Sequence, residues 1–490
     1  MIKELNKLSI RESLEGLKSR SFTSKQLVQA YLDQIHIFDS EINSIITLNE
    51  DNALKSAEKA DKMIEENNPQ IFEKYPLLGI PYLCKDNFST KGIKTTAASN
   101  VLKDYIPPFE STVTQKLSDA GAVLLGKTNM DSFAHGSSSE TSDIFPLNSK
   151  TGPTKNPWDY TKVPGGSSGG SAAALAANFA IFTIGSETAG SIRGPASWCG
   201  VTGLKPTYGR VSRYGVVAMG SSLDSPGPIT KTVWDAGYVL SIISGKDKFD
   251  ATSSDLETED YIQDLEIDLS KIRIGIPKSY FGEQIEAGVL AEVSKVIEFY
   301  KSKGAEIVEI YLLDPENSIS VYTILHRSEV SSNLARFDGI RYGNDRSHFN
   351  FENKKRMMLG AYALSSGYYD AYYSKAQKVR TLIINDFKKA YENVDIILGP
   401  TFPTTALKIG ESEKYSIFGE LMDALQEPSA IAGLTAISIP CGFAEEMPVG
   451  VQLIAPHFKE KFLLQIANAF QNETDFHLQF PELKNMKGAE

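Results

Sequence analysis

Residues 163–194 read VPGGSSGGSAAALAANFAIFTIGSETAGSIRG and constrain the fold more than any other stretch. Two serine–glycine clusters, 165–171 and 185–191, flank a run rich in alanine and phenylalanine. Glycine lets the backbone turn where a Cβ forbids it and lets it approach a ligand closely. Serine supplies hydroxyls at those turns. The run 172–184 fits a buried helix followed by a short strand, so two reactive loops are expected at the ends of packed elements. A flexible linker would not enclose a packed apolar run. Gly165-Gly166-Ser167-Ser168-Gly169 also fits G-x-S-x-G, the nucleophile elbow. That motif needs a preceding strand and a later Asp and His; Val163-Pro164 is a poor strand end, and no histidine downstream stands in a recognisable context.

The paired clusters resemble the core of the amidase signature family, GGSSGGS followed by GS-acid-T-G-G-S-I-R. That family's lysine lies in a K-D-N context, here Lys85-Asp86-Asn87 after the mostly apolar stretch 77–83. The likeness runs over about 77–228 and includes CGVTGLKPT at 199–207. It implies Lys85 as base, Ser167 as relay after a cis peptide bond, and Ser191 as nucleophile. It also implies an oxyanion hole from the backbone N–H groups of Thr188, Ala189, Gly190 and Ser191. The implied fold is α/β, a mixed central β-sheet covered by helices on both faces. One large domain, 1–490, is expected, with N-terminal helices in 1–66, the core at about 77–228 and a substrate-recognition part at about 270–475. Glu187 replaces the family's usual Asp, and Ala189 the first Gly of its pair.

The chemistry agrees with those assignments. A serine hydroxyl needs a base to attack an amide. If a lysine serves, it must be neutral, and burial favours the neutral amine. Most lysines are solvated; Lys85 instead follows an apolar, strand-like segment. Ser168 and Ser171 read as turn hydroxyls bonding nearby backbone.

Acidic residues outnumber basic ones by 61 to 50, a net charge of −11, which argues against the chain gripping nucleic acid by itself. Cys84, Cys199 and Cys441 lie far apart and fit no zinc spacing; a reducing cytoplasm is expected. Cys84 reads as a small buried hydrophobe rather than a nucleophile. The most apolar run, 172–185, is too short to span a membrane, and the first residues lack a signal peptide's apolar stretch.

Helices are expected at 9–19, 24–38 with Ser24 as N-cap, 50–66, 111–120, 232–244, 287–303, 369–391 and 459–472, and a polar loop at 67–75. Strands are expected at 44–48, 76–83, 122–125, 272–277, 306–310, 396–399, 436–440 and 449–454. Residues 121–128, GAVLLGKT, fit the phosphate-cradling pattern G-x-x-x-x-G-K-[ST], but their strand-like residues lie between the glycines instead of before them.

Three later stretches narrow the resemblance: SSNLARFDGIRYG at 331–343, ALSSGYYDAYY at 363–373 continuing to Arg380, and PTYGRVS at 206–212. They are similar to the glutaminase subunits of tRNA-dependent amidotransferases. The resemblance implies that this chain hydrolyses glutamine and carries no cofactor. Ammonia would pass to a B subunit that activates glutamate on tRNA with ATP and Mg, joined by a small C subunit. The tRNA would be held by the partner, with no membrane involved. Arg356 is implied as the cation for the glutamine α-carboxylate and Asp423 as the anion for its α-ammonium, since charge-assisted bonds are strong and directional. Ser132, His135, Gly194 and His326-Arg327 depart from the subunit's usual residues, and 144–151 reads as an insertion. His135 has no partner at metal-ligand spacing, so no metal is expected. A free-standing amidase and a catalytically silent scaffold are the alternatives.

Overall fold

The computed structural model describes residues 4–484 except 67, 69, 145–151, 341–343 and 415–417. The expected insertion at 144–151 lies outside the described residues except for Ile144.

Among the described residues eleven strands make one mixed sheet. In chain order they are β1 (Ile45–Leu48), β2 (Pro81–Lys85), β3 (Val123–Thr128), β4 (Phe182–Glu187), β5 (Thr202–Lys205) and β6 (Ser225–Thr230). Then follow β7 (Arg273–Pro277), β8 (Glu306–Ile310), β9 (Ile396–Pro400), β10 (Thr435–Ala444) and β11 (Met447–Ala455). The order across the sheet is β1-β3-β2-β4-β6-β5-β10-β11-β9-β7-β8. β3, β2 and β4 run parallel, as do β9, β7 and β8, and antiparallel pairs join the two groups. Every residue of β2, β4, β5, β6, β9 and β11 is buried, so both faces of the sheet are covered. Helices Gly169–Ala176, Arg193–Cys199, Val233–Ile243, Ala287–Ser302 and Glu460–Gln471 pack against it.

The apolar run of the central stretch becomes the helix Gly169–Ala176 and then β4, all buried. Its small residues let the helix sit tightly: a Cβ on Gly170 would stand 2.3 Å from the Asn129 carbonyl oxygen. No strand runs directly into Ser167, since residues 152–166 form none, which removes the nucleophile elbow.

The phosphate-loop pattern dissolves in the same way. Gly126, Lys127 and Thr128 are the end of β3, and Lys127 Nζ is buried against the Phe88 carbonyl oxygen at 2.5 Å and Thr95 Oγ1 at 3.0 Å. A strand end with its lysine spent on the protein cannot wrap a phosphate.

Two local expectations are corrected. Thr23, not Ser24, caps the helix Ser24–Ile42, because Thr23 and Gln26 form a reciprocal capping box. Ser24 is the first helical residue, and its hydroxyl donates to the Gly79 carbonyl at 2.9 Å. Within the polar stretch 67–75, Ile71–Lys74 forms a helical turn with Ile71 buried.

Candidate active site

β2 and β4 are parallel neighbours, so their C-terminal ends open on one edge of the sheet. Open α/β sheets bind ligands at such edges. Lys85 is the last residue of β2 and Glu187 the last of β4. Lys85 is wholly buried. Its Nζ lies 2.8 Å from Ser167 Oγ and 3.1 Å from both Ser186 Oγ and the Ser186 carbonyl oxygen. Asn87 Nδ2 donates to Ser186 Oγ at 2.9 Å and so steadies that contact. Burial lowers the Lys85 amine to about 7, against the opposing pull of the Asp131, Asp224 and Glu187 carboxylates. Near neutral pH a substantial share of such amines carries a free lone pair.

Ser167 follows Gly166 through a cis peptide bond. A Cβ on Gly166 would stand 2.1 Å from Asp131 Oδ2, so the backbone must approach that carboxylate bare. Ser168 donates its N–H to the Ser191 carbonyl at 3.2 Å, which brings the two serine–glycine clusters together. No hydrogen bond joins the hydroxyls of Ser167 and Ser191 among the described residues. Catalytic contacts often tighten only when substrate is bound. Ser168 Oγ donates to the Ser186 carbonyl, a structural bond to backbone as expected. Ser171 is structural too, but it lies within the helix Gly169–Ala176 and meets Thr128 Oγ1 rather than serving as a turn hydroxyl.

Glu187 closes the second cluster. Its Oε2 accepts from the N–H groups of Ile192 and Arg193, both at 3.0 Å, and its Oε1 accepts from Arg193 Nε at 2.8 Å. Arg193 Nη2 donates to the Ala189 carbonyl at 2.9 Å and the Gln426 carbonyl at 3.0 Å. The loop 188–191 is thereby pinned from both ends. Asp224 adds a third hold by accepting from Thr188 Oγ1 at 2.7 Å. Among the described residues the N–H groups of Ala189, Gly190 and Ser191 make no hydrogen bond, so three backbone donors of this loop are left uncommitted. Ala189 does not adopt a positive φ, so its Cβ imposes no backbone strain.

The remaining sequence candidates divide. Asp423 is buried beside the loop 188–191: a Cβ on Gly190 would stand 2.5 Å from Asp423 Oδ1. Its Oδ2 accepts from Ser137 Oγ at 2.7 Å. Arg356 is buried on the helix Phe351–Ala363, on the face it shares with Asn353 and Gly360, and its Nε donates to Glu352 Oε1 at 2.7 Å. The cation therefore already holds a carboxylate of its own helix.

The departures also find physical reasons. His135 and His326 are buried edge to face, with ring centroids 5.7 Å apart, and Tyr322 stacks on His326. Burial and the nearby Arg356 and Arg327 guanidinium groups keep both imidazoles neutral. His135 Nδ1 bonds Asn353 Oδ1, while Asn353 Nδ2 donates to Ser132 Oγ at 2.9 Å, so Ser132 and His135 are linked through one amide. Gly194 lies against an aromatic ring, since a Cβ there would stand 2.3 Å from Phe402 Cζ. Cys84 is buried, and burial raises its thiol to about 12, which removes it as a nucleophile. Among the described residues no group of three or more His, Cys, Asp or Glu side chains is placed to hold a metal ion. Nor is any described helix long and apolar enough to cross a membrane.

Sequence reasoning gave no role to Asn87, Ser137, Ser186, Asp224 or Gln426. Asn87 belongs to the K-D-N triplet and Ser186 to the second cluster, so a signal was present for those two. The others reach the site only through the fold.

The amidase family profile matches residues 26–464. The chain belongs to the amidase family. Its relatives include the glutamyl-tRNA(Gln) amidotransferase A-subunit of Caldanaerobacter subterraneus subsp. tengcongensis, 49% identical over 96% of this chain and 98% of that protein. The crystal structure of the glutamyl-tRNA(Gln) amidotransferase A-subunit from Thermotoga maritima matches with a TM-score of 0.83 and 38% identity, covering 99% of each chain. A peptide amidase from Stenotrophomonas maltophilia matches with a TM-score of 0.83 and 28% identity, covering 97% of this chain and 98% of that one.

Proposed function

We propose that this amidase hydrolyses glutamine as one subunit of a tRNA-dependent amidotransferase and supplies ammonia for converting Glu-tRNA(Gln) to Gln-tRNA(Gln). The contact of Lys85 Nζ with Ser167 Oγ at 2.8 Å, beside the Ser191 loop, carries the amidase half of this proposal. Near-complete coverage of the A-subunit relatives supports the rest.

In the proposed mechanism Ser191 Oγ attacks the glutamine side-chain carbonyl. Its proton passes to Ser167, whose own proton moves to neutral Lys85. The N–H groups of the 188–191 loop bind the tetrahedral oxyanion. The relayed proton returns to the leaving nitrogen, ammonia departs, and a glutamyl ester remains on Ser191. Water, deprotonated through the same relay, hydrolyses that ester to glutamate. Arg356 takes the α-carboxylate and Asp423 the α-ammonium. This chain needs no cofactor for these steps. ATP and Mg belong to the B subunit that activates glutamate on tRNA, a C subunit joins the two, and the partner holds the tRNA. The net charge of −11 supports that division. The free, buried Cys84, Cys199 and Cys441 support a reducing, cytoplasmic setting for this work.

Glutamine hydrolysis by the purified chain, measured with and without B and C subunits, tests the proposal. Glutaminase activity that rises when the partners are added supports it. Broad hydrolysis of unrelated amides by the lone chain, unchanged by partners, supports a free-standing amidase.

A further inference from the structure

Gln426 is wholly buried, and neither its Oε1 nor its Nε2 makes a hydrogen bond among the described residues. A buried amide left unmatched in this way is unfavourable, so it needs an explanation. Its backbone is held firmly: the N–H donates to the Asp423 carbonyl at 2.7 Å, and the carbonyl accepts from Arg193 Nη2 at 3.0 Å and Ser429 Oγ at 2.9 Å. Local structure does not use the side chain. Gln426 is the N-cap of the short helix Glu427–Ile431 but makes no side-chain capping bond.

The amide instead lies against the nucleophile loop. A Cβ on Gly190 would stand 2.7 Å from Gln426 Oε1 and 2.5 Å from Asp423 Oδ1. The Asp423 carboxylate and the Gln426 amide thus pack side by side against Gly190, the residue preceding Ser191. Two acceptors, one of them charged, suit a cationic N–H donor such as a primary ammonium.

Resting on the assignment of Asp423 to the α-ammonium, we propose that Gln426 is a specificity-determining residue whose Oε1 accepts a second hydrogen bond from the substrate's ammonium. The pair then selects an amino-acid amide over one lacking the α-amino group. A site built to bond a polar group discriminates strongly against analogues that lack it.

The test uses the full chain and two substrates, glutamine and 4-carbamoylbutanoate, which is glutamine without its α-amino group. Gln426→Leu is expected to lower kcat/KM for glutamine about ten- to a hundredfold, the range of a hydrogen bond to a charged group. The effect should fall mainly on KM, and 4-carbamoylbutanoate should change less than about threefold, a small fraction of that range. Gln426→Met, measured in parallel, supplies the same comparison if the leucine variant does not fold. Equal losses on both substrates, or no loss on glutamine, overturn the proposal. Asp423→Asn separates the two assignments. If it discriminates between the substrates while the Gln426 variants do not, only the role of Gln426 fails. If it does not discriminate either, the ammonium site itself is misplaced.

Discussion

Glu187 and Arg193 form a wholly buried salt bridge of 2.7 Å across the loop that carries Ser191. The carboxylate also accepts two backbone N–H groups, and the guanidinium binds two carbonyls from different segments. Such a pair costs desolvation, but removing one partner strands the other. Glu187→Ala is therefore expected to destabilise the protein by about 3–5 kcal/mol and to weaken amide hydrolysis as the loop loosens. Glu187→Asp keeps the charge and should retain most of the stability. Urea unfolding of both variants, with activity measured alongside, checks this.

Lys85 sets the pH dependence. Burial holds its amine near 7, far below the ordinary lysine value of 10.5. The base must be deprotonated to accept a proton, so activity is lost on the acid side. The kcat/KM for an amide substrate is expected to fall about tenfold per pH unit below about 7 and to level off above it. A pH–rate profile of the wild type reads this limb directly. Lys85→Ala should abolish nearly all activity at every pH.

The charged ends of the substrate make a separate prediction. Arg356→Ala and Asp423→Ala each remove one member of a proposed buried charge pair with glutamine, a loss of about 2–5 kcal/mol. Steady-state kinetics should show impaired use of glutamine, with a small neutral amide still turned over. Equal loss of both substrates would make the two residues structural.

The sequence exposed some of these features and hid others, for physical reasons. The central clusters and the strands β2, β3 and β4 were legible because long apolar runs and glycine-rich turns leave few alternatives. The helices Pro315–Leu334 and Phe351–Ala363 escaped. Their inward faces interrupt apolar residues such as Val321, Leu325 and Leu334 with Ser318, His326, Arg327 and Asn333, and carry Asn353, Arg356 and Gly360, so no continuous apolar stripe marks them. The site itself is assembled across great separations. Asp423 meets Gly190, and Ser137 meets Asp423, because the loops outside the sheet converge there. Nothing local at 423 announces that neighbour, and Gln426 looks like any helix-cap residue until its amide is seen buried and unmatched.

The most direct measurement locates the acyl group. Intact-mass analysis and peptide mapping after a slowly deacylating amide substrate should find the adduct on Ser191. It should be absent from Ser191→Ala and strongly reduced in Lys85→Ala and Ser167→Ala, because a serine without its base is a weak nucleophile. An adduct on Ser168 or Cys84, or undiminished acylation of Lys85→Ala, would contradict the proposed Ser191–Ser167–Lys85 relay.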